Sequence, residues 1–75
     1  MASEELDAIL SDLEAVSERL ADHALALLHE ALGSEDPRQS PAARAEKVVT
    51  RARRSVEKAA SLVRSLGSAP YGEDG

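Results

Sequence analysis

The sequence has no cysteine, no tryptophan and no phenylalanine, and Tyr71 is its one aromatic residue. The lack of cysteine rules out disulfide staples and thiolate chemistry, whether nucleophilic or metal-binding. Without large aromatics, a core has to be assembled from Leu, Val, Ile and Ala, which bury little apolar area each. Glycine and proline are also scarce, with four and three copies. None forms a glycine-rich phosphate loop, because Gly33 and Gly67 follow apolar periodic segments while Gly72 and Gly75 lie near the C-terminus. The apolar run Ala24–Leu28 is far too short to cross a bilayer. The acidic opening Met1-Ala2-Ser3-Glu4-Glu5 is unlike a secretory leader, so a cytoplasmic location is expected.

At 75 residues the chain allows one small domain. Scaffolds of this size draw no more than about 3–5 kcal/mol from their own core. With disulfides and metal clips excluded, self-association is the remaining route to added stability. Helix formers dominate, so the expected class is all-α.

The net charge of −5 conceals a division. Residues 1–36 hold ten acidic groups against Arg19, and residues 37–68 hold eight basic groups against Glu46 and Glu57. An acidic segment followed by a basic one is expected to pair with it.

Ser3 is the expected N-cap of the first helix, with Glu4, Glu5 and Asp7 placing negative charge over the free N–H groups of the first turn. Leu6, Ile9, Leu13, Val16, Leu20, His23, Leu27 and Ala31 recur at spacings of three and four. That period predicts an amphipathic helix over residues 4–32, about 43 Å long, with Gly33 as its stop. Residues 33–40, Gly-Ser-Glu-Asp-Pro-Arg-Gln-Ser, form the connection. Ser40 and Pro41 restart the chain as N-cap and first helical residue. The second helix is predicted over 41–66, its apolar stripe being Ala45, Val48, Val49, Ala52, Val56, Ala59, Leu62, Val63 and Leu66. Residues 1–68 thus read as one hairpin, and residues 69–75 as a flexible tail.

Folding the helices antiparallel about the connection brings residues whose numbers sum to about 73 face to face. Leu13 then meets Ala59, Leu20 meets Ala52 and Leu27 meets Ala45. Large against small resembles the packing of alanine-rich antiparallel coiled coils. Apolar residues remain outside this seam, notably Leu25, Leu28 and Leu32, and the expected outcome is a homodimer forming a four-helix bundle. Residues expected in core and self-association are Leu6, Ile9, Leu13, Val16, Leu20, Leu27, Val49, Ala52, Val56, Ala59, Leu62 and Leu66.

Arg44, Lys47, Arg51, Arg54 and Lys58 recur every three or four residues and form a basic stripe, with Arg53 close by. Glu5 and Asp12 are placed to meet Lys58 within one hairpin, whereas Glu14, Glu18 and Asp22 form an outer acidic ridge. The stripe is the expected contact for a protein with an acidic surface. The alternative is a nucleic-acid accessory protein using the same face. A pI near 4.9, the lack of stacking aromatics and the acidic first helix oppose that alternative.

His23 and His29 stand six apart, unlike the i, i+4 spacing of helical zinc ligands, and neither has a carboxylate three residues before it. A buried neutral His23 would make assembly weaken below about pH 6.5. No nucleophile–base pair, metal set or cofactor motif is present, so a non-enzymatic interaction protein without cofactor is expected. A membrane role is not expected, since acids line the polar face of the first helix.

Overall fold

The computed structural model describes residues 3–68 and is an all-helical hairpin. The sequence reading of residues 69–75 as a tail lies outside the described residues. Helix α1 spans Glu4–Leu32 and α2 spans Pro41–Ser68, joined through a 3-10 turn at Pro37–Gln39. The Cα atoms occupy a slab of 55 × 25 × 10 Å, so the hairpin has two broad faces.

Local chemistry explains each helix end. Ser3 Oγ accepts from the backbone N–H groups of Glu5 and Leu6 at 3.1 and 3.2 Å, and three acids occupy the first turn. At the other end of α1, Gly33 keeps a φ of −84°, so the helix does not stop through a left-handed glycine. Instead the Ser34 hydroxyl donates to the Ala31 carbonyl at 2.9 Å, and the Gly33 and Ser34 N–H groups close on Glu30 and Ala31. Ser40 is buried and does double duty. Its Oγ donates to the Pro37 carbonyl at 2.9 Å and accepts from Ala43 N–H at 3.1 Å, capping α2 directly ahead of Pro41. Arg44 Nη1 donates to the Gln39 carbonyl at 2.7 Å, which ties the connection to α2. Gly67, expected as the second stop, lies inside α2.

The Ser17 hydroxyl donates to Glu57 at 3.3 Å across the hairpin. Those two numbers sum to 74, within a residue of the register expected from the connection. The faces that meet are nonetheless turned from the expected ones. The seam on α1 runs through the buried and half-buried Leu6, Leu10, Leu13, Ser17, Leu20, Ala24, Leu27 and Ala31, and on α2 through Ala42, Glu46, Val49, Arg53, Val56, Ala60, Val63 and Gly67, with Ala21, Ala43, Thr50 and Ala59 half-buried beside it. Both series alternate spacings of four and three, the period with which two helices keep contact along their length. Leu6, Leu13, Leu20, Leu27, Val49 and Val56 stand in this seam as expected from the sequence. Leu10, Ser17 and Ala24 take the places given to Ile9, Val16 and His23, which are exposed.

On α2 the turn is larger. Ala45, Ala52, Leu62 and Leu66 are exposed, and Ala59 is half-buried beside the seam. Leu13 comes level with Ala60, so one large-on-alanine layer persists. Leu20 and Leu27 come level with Arg53 and Glu46 in place of Ala52 and Ala45. Small residues at Ser17, Ala24, Ala31, Ala42, Ala60 and Gly67 recur along the seam among larger ones, and Glu46 and Arg53 stay half-buried there because their long side chains reach out to partners, Arg53 to Glu57 and Glu46 to Thr50.

The resulting core is thin. Its buried apolar residues are Ala24, Ala31, Ala42 and Ala60, and no large side chain among the described residues is fully buried. His23 is exposed in the hairpin, so acid sensitivity through a buried imidazole does not apply to the fold itself.

Candidate interaction surfaces

The shared seam places the remaining residues of each helix on one broad face or the other. The first face carries apolar side chains along its length, interrupted by Arg19 and His23. Ile9 and Val16 on α1 lie on the same side as Ala52, Ala59 and Leu66 on α2, with Val48 and Leu62 along its α2 margin. Leu62 is 63% exposed and Val48 59%, whereas Ile9 and Val16, closer to the seam, are near 40%. His23 lies on this face too, where Val16, Arg19, Leu20 and His23 line a shallow concavity.

The second face is split. Over the half away from the connection it carries ionic groups. Arg64 Nη2 pairs with Glu14 Oε2 at 3.1 Å across the helices, and Arg53 Nη2 pairs with Glu57 Oε2 at 3.1 Å along α2. Glu57 Oε2 also receives the Ser17 hydroxyl, so one carboxylate oxygen joins the seam to the face. All four charged side chains are about half exposed, so each pair contributes only about 0.2–1 kcal/mol. Arg53 Nε is buried in the seam without a hydrogen-bond partner, a cost that the exposed pair to Glu57 offsets only in part.

Over the half nearer the connection the second face turns apolar. Leu25, Leu28 and Leu32 are exposed on α1, Leu32 at 72%. Leu28 and Leu32 join Ala31, Pro37 and Ala43 in a mostly apolar groove of about 700 Å³, with Arg38 and Lys47 on its rim.

The basic stripe is where the sequence reading placed it. Arg44, Lys47, Arg51, Arg54 and Lys58 are all exposed, along the outer edge of α2. Among the described residues none of the five has a carboxylate within ion-pairing distance. The expected pairing of Glu5 and Asp12 with Lys58 does not form; the interhelical pair is Glu14 with Arg64. Arg64 was not part of the stripe read from the sequence, because its partner lies fifty residues away and only the folded register joins them.

Among the described residues no group of three or more His, Asp or Glu side chains is arranged to hold a metal ion. Nor is either helix long and apolar enough to cross a membrane. Comparison of the chain with protein-family models, with curated proteins and with solved structures finds no match.

Proposed function

We propose that this chain is a non-enzymatic protein–protein interaction module. In this reading the hairpin pairs with a second copy through its apolar broad face, forming a four-helix bundle. Its charged surfaces remain free to engage a protein partner, as an adaptor, a regulator or a small subunit of a complex. The observation that carries the proposal is the mismatch between seam and flank. Ser17, Glu46 and Arg53 occupy the seam, while Ile9, Val16, Val48, Leu62 and Leu66 face outward on one side. Contiguous apolar surface of this kind marks an interface. The broad side of a hairpin whose Cα atoms extend 55 × 25 Å has room for the footprint of about 800 Å² per partner that a stable pair requires. Hairpins whose buried apolar residues, among those described, are alanines would share a larger core once paired.

The absence of cysteine makes the test direct. A single thiol at Ile9→Cys is expected to be alkylated progressively more slowly as protein concentration rises, because the second copy covers it. A thiol at Ser61→Cys, off the apolar face, is expected to react at a constant rate. Equal, concentration-independent rates at both positions would remove the apolar face from the assembly.

A further inference from the structure

We propose that the groove at the connection end of the second face is a docking site for an acidic amphipathic helix of another protein. The proposal deepens the reading of the chain as an interaction module, and it rests on the partner-binding part of that reading rather than on self-association. Leu25, Leu28 and Leu32 stand at spacings of three and four along α1, a row about 10 Å long. Leu28 and Leu32 form one wall of the groove, and Pro37 and Ala43 complete its apolar floor. A row of that length and spacing fits a helix that presents apolar anchors at i, i+3 or i+4, and i+7. The platform beneath is well held: Ser40 is buried with both its hydrogen bonds made, and Arg44 clamps the Gln39 carbonyl.

Charge selects the occupant. Arg38 and Lys47 stand on the rim, and Arg51 and Arg54 continue the basic edge along α2. Among the described residues these four cations have no ion-pair partner. The one carboxylate in the lining, Glu46, already accepts from the Thr50 hydroxyl at 2.7 Å. A helix with leucine-like anchors over α1 and carboxylates over α2 would cover the exposed leucines and meet the free cations together. Nucleic acid fits less well. It would lay phosphate against three leucines, with no aromatic side chain in the groove to stack on a base.

The probe is a labelled, capped peptide of about fifteen residues, with leucines at i, i+3 and i+7 and glutamates on one flank. A second peptide of identical composition has its leucines scattered. Fluorescence anisotropy is expected to show saturable binding of the first peptide and at least about tenfold weaker binding of the second. Leu32→Ser and Lys47→Glu, both at exposed positions, are each expected to weaken the first peptide by at least about tenfold while circular dichroism shows unchanged helicity. Ser61→Glu, exposed on α2 about 21 Å along the helix from Lys47, is expected to leave peptide affinity unchanged.

Equal binding of the two peptides would overturn the proposal, as would indifference to Leu32→Ser. So would tighter binding of a short DNA duplex that Leu32→Ser does not alter. Loss of peptide binding in Ser61→Glu would show that Lys47→Glu acts through net charge alone, and would overturn the groove as the site. A chain that stays monomeric yet binds the peptide would end the self-association reading and leave the groove standing.

Discussion

The two broad faces of the hairpin are built from the same two helices, yet they differ in what surrounds their apolar groups. The first face carries aliphatic side chains along its length, with Arg19 and His23 beside Val16 near the middle. The second carries an ionic half, held by Glu14, Arg53, Glu57 and Arg64, and an apolar half confined to the connection end. A uniform face suits a large partner of the same length, such as a second hairpin. A divided face suits a short partner with matching division. The difference teaches that the seam alone does not account for the hydrophobic pattern, because the seam uses only part of it.

The largest expected effect comes from removing the platform under both faces. Leu20 is half-buried in the seam, and Leu20→Asp is expected to cost roughly 3 kcal/mol or more by placing a carboxylate between the helices. Circular dichroism should then show loss of helicity and light scattering loss of association. A fully helical variant would mean that the seam has been assigned wrongly.

A second experiment sharpens the contrast between faces by using neighbours in sequence. Leu62→Glu is expected to weaken self-association by at least about a hundredfold, since it forces charge into an apolar interface. Ser61→Glu, one residue away and off that face, is expected to change it by less than about twofold. Sedimentation at several concentrations reads both, and equal effects would erase the distinction.

How much of this was legible in the sequence depends on the range of the interaction involved. The limits of α1 and the start of α2 were legible because Ser3, Ser40 and Pro41 act within one turn, whereas α2 runs past the stop expected at Gly67. The register was legible because a short connection leaves little freedom. The choice of face was not. Leu6, Leu13, Leu20 and Leu27 belong equally to two stripes, one completed by Ile9 and Val16, the other by Leu10 and Ser17. Hydropathy along α1 favours the first stripe, and the folded seam takes the second. That choice is made against α2, whose side of the seam holds Ala42, Arg53, Ala60 and Gly67, and no local reading of α1 includes them. Gly33 marks the stop of α1 as expected, and the Ser34 hydroxyl on the Ala31 carbonyl closes that end with no left-handed glycine. Of the candidate surface residues, the basic stripe was legible as a pattern, whereas Arg64 and its partner Glu14 needed the fold.

Smaller effects probe the ionic half of the second face. Arg53→Leu is expected to stabilise the hairpin by about 1 kcal/mol, because it removes a buried Nε without a partner and adds apolar contact in the seam. A higher urea midpoint would register the gain, and a lower one would show that the pair with Glu57 matters more than the orphaned nitrogen. The smallest effect concerns Glu14 and Arg64. A double-mutant cycle with alanine at each is expected to give a coupling of only about 0.2–1 kcal/mol, vanishing at high salt. A coupling that persists in high salt would mean that this pair is shielded in the assembly, and therefore that the second face is covered too.

If a second copy covers the apolar broad face, mass by light scattering across a concentration series will show it. With a chain of 7.9 kDa, the account predicts a species of about 16 kDa that persists at high salt, because the interface is apolar. A monomer at every concentration, or a dimer that dissociates when salt is added, would contradict it.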